Sequence, residues 1–82
     1  MTDIMVAFGQ RLGEVRRRVG VSQEKLAELA GLHRTYVSTV ERGKKNISLV
    51  NIARLAAALD VEPGDLMPPL PKKSPKPRGP AK

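Results

Sequence analysis

SQEKLAELAGLHRTYVSTVERGKK, residues 22 to 45, is the stretch that decides the fold. Its apolar residues recur at helical spacing in two short blocks separated by a glycine. The first block predicts a helix from about Gln23 to Ala30, with Leu26 and Leu29 facing inward. Ser22 is a good N-cap for it. Lys25 stands where a capping box needs Glu or Gln, so the reciprocal bond is not expected. Gly31 supplies the turn. The second block predicts a helix from about Arg34 to Arg42, in which Val37 and Val40 face the core and Gly43 supplies a left-handed stop.

Working outward, Met5, Phe8, Leu12, Val15 and Val19 follow one another at three and four residues, which predicts a preceding helix over Ile4–Val19 ended by Gly20. Downstream, Ser48 caps a helix over Leu49–Leu59, whose Ile52, Leu55, Ala56 and Leu59 form an inward stripe. Glu62-Pro63 opens a short fifth helix through about Met67, since proline is preorganised for the first helical position. Pro68-Pro69 stops it. Phe8 and Tyr36 are the only aromatic residues, so packing rests on Leu, Val, Ile and Ala, which suits a helical bundle better than a sheet. The expectation is an all-α, compact five-helix domain over residues 1–67 with no internal repeat. Leu66, Met67 and Leu70 either close its core or offer a two-fold contact, with an interface shared between the fourth and fifth helices favoured.

The net charge of +7 is unevenly placed. Residues 1–71 carry ten Lys or Arg against eight acids, whereas residues 72–82 carry five basic residues and no acid. With six prolines from Pro68 onward, residues 68–82 are expected to form a disordered, basic, Pro-rich C-terminal tail. Such a tail either adds non-specific attraction to nucleic acid, offers a surface to a protein partner, or is a plain solubilising end.

Several function classes fall away. There is no cysteine, and His33 is the single histidine, so thiolate and zinc sites lack ligands. No glycine-rich phosphate loop or paired carboxylates suggest catalysis, so no catalytic residue, metal or cofactor is expected. No apolar run approaches the ~20 residues of a membrane span, and the N-terminus lacks a signal-peptide pattern. A cytoplasmic protein with no membrane partner is expected.

Two short helices across a glycine turn have the helix-turn-helix layout, in which the second helix can enter a DNA major groove. With Val37 and Val40 defining the buried direction, Thr35, Ser38, Thr39 and Arg42 fall on the opposite side at i, i+3, i+4 and i+7. That stripe holds no acid and runs into Lys44 and Lys45. Threonine can offer a hydroxyl and a methyl to base edges, and arginine can grip guanine O6 and N7. Arg34, in the first turn, is long enough to reach a base or a phosphate. The loop residues Arg42, Lys44, Lys45 and Asn46 suit phosphate contact. An ordinary solvated face and polar loop are the alternative reading of the same residues.

These features together resemble the lambda repressor/Cro-type helix-turn-helix family, also known as the xenobiotic-response-element family. The similarity runs over residues 8–67, through FGQRLGEVRRRVGVSQEKLAELAG, TYVSTVERGKKNIS and IARLAAALDVEPGDLM. Gln23, Ala27, Gly31, Val37 and Val40 match the family's glutamine, small residue, turn glycine and two apolar anchors. The resemblance implies a lambda repressor-like DNA-binding domain that regulates transcription as a homodimer on a near-palindromic double-stranded operator. It implies base contacts from Arg34, Thr35, Ser38 and Thr39, and a phosphate contact from Gln23. It also implies a structural ion pair between Arg16 and Glu41. His33 departs from the family's usual Ser or Thr cap. Three uses of such a domain remain open: an autonomous regulator, an antitoxin that also holds a toxin, and a protein-binding module with a vestigial DNA face.

Overall fold

The computed structural model describes residues 3–69 and consists, among them, of five helices: α1 (Ile4–Val19), α2 (Gln23–Ala30), α3 (Arg34–Glu41), α4 (Leu49–Leu59) and α5 (Pro63–Leu66). Of the expected tail, residues 70–82, Leu70 among them, lie outside the described residues. Each helix start has a local chemical cause. The Asp3 carboxylate accepts from the Met5 N–H at 3.0 Å, and the Ser22 and Ser48 hydroxyls accept from the Lys25 and Asn51 N–H groups at 2.9 and 3.1 Å. At α5 the Asp65 carboxylate reaches back to the Glu62 N–H at 3.0 Å. These bonds satisfy amides that the first helical turn would otherwise leave without partners. Helices α3 and α5 each stop one residue short of the expected end, where Arg42 and Met67 act as C-caps.

One core joins all five helices, built on Phe8, Leu12, Leu26, Val37, Leu55, Leu59 and Leu66 among others. Leu66 is fully enclosed, so it closes the core and offers nothing to a second chain. Two inward assignments from the sequence are corrected. Val19 continues the α1 stripe but is 47% exposed at the final residue of the helix, beside the Gly20 stop. Leu29 is 51% exposed, because Leu26, Ala27 and Ala30 set the inward direction of α2. At about 100° per residue, Leu29 lies well to one side of that direction. The small residues, rather than the second leucine, let α2 approach its neighbours.

Two glycines position α3. A Cβ on Gly9 would run into the Val40 carbonyl oxygen and come within 2.7 Å of the Glu41 carbonyl oxygen, so the absence of a side chain lets α1 cross α3 closely. Gly43 has φ +75°, and a Cβ there would stand 2.7 Å from Val6 Cγ2. A left-handed backbone pressed against α1 accepts only glycine without strain. The chain thus leaves α3 along a fixed path, which places the basic loop that follows.

Candidate nucleic-acid interface

Helix α3 presents two chemically different faces. Val37 and Val40 are fully buried, whereas Arg34, Thr35 and Arg42 are exposed. Ser38 and Thr39 are half-buried rather than fully outward. Both are covered by bonds along the helix itself. Arg42 folds back so that Nη1 donates to Ser38 Oγ at 2.9 Å, and Thr39 Oγ1 donates to the Thr35 carbonyl at 2.8 Å. The Thr39 hydroxyl has therefore spent its proton, and its outward chemistry is two acceptor lone pairs and a methyl group.

Behind that face lies a compact polar knot. Arg16 donates to both Glu41 carboxylate oxygens, from Nε at 2.6 Å and from Nη2 at 3.1 Å, and from Nη1 to the Val21 carbonyl at 2.9 Å. The side chains of Arg16 and Glu41 are only 12% and 9% exposed. A bidentate, enclosed pair of this kind fixes geometry as well as energy. Gln23 joins it, with Nε2 donating to Glu41 Oε1 at 3.0 Å. One knot therefore ties α1, the start of α2 and the end of α3. The sequence reading gave Gln23 an outward task only and did not foresee this bond. Only the enclosure of the Glu41 carboxylate, which has lone pairs beyond those that Arg16 uses, creates the need for a second donor.

The loop residues separate. Lys44 and Asn46 are exposed, while Lys45 Nζ stands 5.7 Å from the centre of the Tyr36 ring, within cation–π range. Tyr36 is held in turn by Asn51, whose Nδ2 donates to the tyrosine hydroxyl at 2.9 Å. Its place is the edge of the core, against α4. His33 stands at the α3 N-cap without a side-chain bond.

Unpaired cations gather at the same end of the molecule, although Arg17, Arg18 and Arg54 elsewhere also form no ion pair among the described residues. Arg11, Arg16 and Lys25 pair with Glu14, Glu41 and Glu28. Arg34, Arg42, Lys44 and Lys45, all on α3 or the loop after it, form no ion pair among the described residues. No group of three or more His, Cys, Asp or Glu side chains there gathers to hold a metal ion. No helix of the described residues is long and apolar enough to cross a membrane.

Known proteins share this arrangement. A family model described as a helix-turn-helix domain matches residues 7–70. The control protein C.BamHI of Bacillus amyloliquefaciens is 47% identical over 66 residues, which span 79% of this chain and 82% of that one. The crystal structure of the restriction-modification controller protein C.AhdI from Aeromonas hydrophila matches with a TM-score of 0.75 at 60% identity, over 77% of this chain and 96% of that chain. The biofilm master regulator SinR, solved in complex with DNA, matches with a TM-score of 0.69 at 37% identity, over 72% and 95% of the two chains. A buried apolar anchor on α3, an acid-free outer face and this likeness over most of the chain agree: the protein belongs to the helix-turn-helix domain family, of the Cro/C1 type.

Proposed function

We propose that the chain binds double-stranded DNA sequence-specifically and regulates transcription, as a homodimer on a near-palindromic operator with α3 in the major groove. The observation that carries this reading is the outer face of α3. It is free of acids and continues into cations that no acid neutralises. Arg34 and Thr35 reach base edges from the first turn of α3, and Thr39 follows from the next turn. Ser38 contributes once Arg42 releases it to take a phosphate. Lys44, Lys45 and Asn46 hold the backbone on one flank. Gln23, its amide nitrogen oriented by Glu41, presents its remaining N–H and the α2 N-terminus to another phosphate, where the helix dipole helps. Control of a restriction-modification system, the role named for C.AhdI, is the setting this reading favours; C.BamHI is likewise named a control protein.

One recognition helix spans too few base pairs for useful specificity, so two half-sites about 34 Å apart are required. The two-fold contact falls on α4 with the end of α5. Leu49 and Val50 are 83% and 63% exposed, and Ala53 and Ala57 continue the bare face of α4. This apolar strip, bordered by Arg54, lies on the side of α4 away from the core, and an apolar helix face of that kind is normally covered.

Selection of bound duplexes from a random pool at about 0.15 M salt tests the reading. An enriched near-palindrome is expected, bound by two chains. Binding without any enrichment, or no binding at all, would overturn it. On the selected operator, Lys44→Gln should weaken binding to every sequence alike and lower the salt slope by about 0.9, one phosphate's worth.

A further inference from the structure

The two lysines of the loop after α3 carry the same charge in different settings. Lys44 is exposed and forms no ion pair among the described residues. Lys45 forms none either, but its Nζ lies over the Tyr36 ring, 5.7 Å from the centroid. It also lines a small cleft with Phe8, Ile47 and Ile52. The ring beneath it is held at both ends. Its body packs against the hydrophobic core, and its hydroxyl accepts from Asn51 Nδ2 at 2.9 Å. Asn51 is fixed in turn in the first turn of α4, where its N–H donates to Ser48 Oγ at 3.1 Å.

We propose that Tyr36 is a positioning residue for the phosphate contact of Lys45: its ring holds the ammonium group over the loop, so that the lysine meets the DNA backbone already placed. The inference rests on the DNA-binding reading above and adds a residue that acts through Lys45 without touching the DNA. A lysine free in water gives up rotamer freedom when a phosphate fixes it, and one already confined gives up less. The ring face attracts the cation electrostatically. The ammonium has three N–H donors, so those turned away from the ring remain for phosphate oxygens. Lys44 has no such platform, and its phosphate contact owes nothing to Tyr36. Phosphate contacts carry no base information. Tyr36 therefore raises affinity for operator and scrambled duplexes alike.

The test is a double-mutant cycle in the full-length chain, Tyr36→Leu with Lys45→Gln, read as Kd for both duplexes. In the native background Lys45→Gln should lower the slope of log K against log[salt] by about 0.9, one phosphate's worth. In the Tyr36→Leu background the same change should cost less affinity by about two- to fivefold, the range of an exposed cation–π contact. Lys44→Gln should cost the same factor in both backgrounds. Tyr36→Phe, which keeps the ring and loses only the bond to Asn51, should retain most of the coupling. Equal losses from Lys45→Gln in both backgrounds would overturn the inference and leave the DNA-binding reading intact, with Tyr36 acting on the core or on DNA by itself. An unchanged salt slope in Lys45→Gln would remove its phosphate contact and the inference with it. Failure of the native chain to bind any duplex would overturn the DNA-binding reading as well. A second readout holds even if Tyr36→Leu does not fold. The ring current of Tyr36 should shift the Lys45 ε-methylene protons upfield of those of Lys44, in the free protein and on the operator. Loss of that shift on binding DNA would show that the ring releases the lysine, and would overturn the inference.

Discussion

The two faces of α3 share eight residues and obey opposite rules. The inner face, Val37, Val40 and the flank at Glu41, is enclosed and fully committed to partners in α1, α2 and the core. The outer face, Arg34, Thr35, Ser38 and Thr39, makes bonds only along its own helix or none at all. Stability is thus concentrated on one side, and the proposed recognition surface is the other. The difference teaches that the same helix can be tuned for a new operator without loss of the fold, provided substitutions stay outside.

Glu41→Ala is the most severe way to strain this division. It leaves the Arg16 guanidinium, which cannot shed its proton, enclosed without a counter-charge, and removes the acceptor for Gln23. The expected loss is about 3–5 kcal/mol, a large share of the ~5–15 kcal/mol that holds a typical domain together. Chemical denaturation should read it directly. Replacing both partners, Arg16→Met with Glu41→Leu, should recover most of that loss, because no charge is then stranded. A single-mutant loss below about 1 kcal/mol, the range of exposed pairs, would show that the knot is open to solvent and that the inner face is less committed than its geometry indicates.

Gly9→Ala probes the inner face from the opposite helix and should cost less. The added methyl meets two backbone carbonyls of α3, which cannot swing aside as a side chain would, so α1 and α3 must separate. Overpacking of this kind costs about 1–3 kcal/mol. Displacement of α3 should then weaken binding to the operator more than to scrambled DNA. A melting temperature at or above that of the native chain would show that α1 and α3 part freely.

The sequence made the helices legible because their boundaries are written in local chemistry. Ser22, Ser48 and Pro63 mark starts and Gly20, Gly31 and Gly43 mark stops, each by interactions within a turn of the chain. What stayed hidden depends on distance along the chain. Leu29 looks as apolar as Leu26, and only the packing of α2 against α3 and α4 decides which of the two leucines is covered. Gln23 and Glu41 are eighteen residues apart, and no local pattern announces that their side chains meet. Position on the outer face of α3 follows from helical geometry alone, whereas the direction of each hydroxyl proton depends on which neighbour captures it.

That last distinction yields the mildest prediction for the fold and the finest for recognition. Thr39→Ala removes a side chain whose hydroxyl bonds only to the carbonyl one turn back, a bond that competes with helix geometry more than it supports it. Stability should stay within about 0.5 kcal/mol. Base preference should change at one position of each half-site, by about 1–3 kcal/mol of discrimination. Because the proton is already given to Thr35, Thr39 offers a base only an acceptor or its methyl. An acceptor matches the exocyclic amino group of cytosine or adenine, and the methyl matches that of thymine. Thr39→Val separates the two, since it keeps the methyl and loses the oxygen. Retained preference in the valine variant identifies methyl contact, and loss equal to that of alanine identifies the acceptor. A fall in melting temperature as the main effect of either substitution would place Thr39 with the inner face and break the division between the two sides of α3.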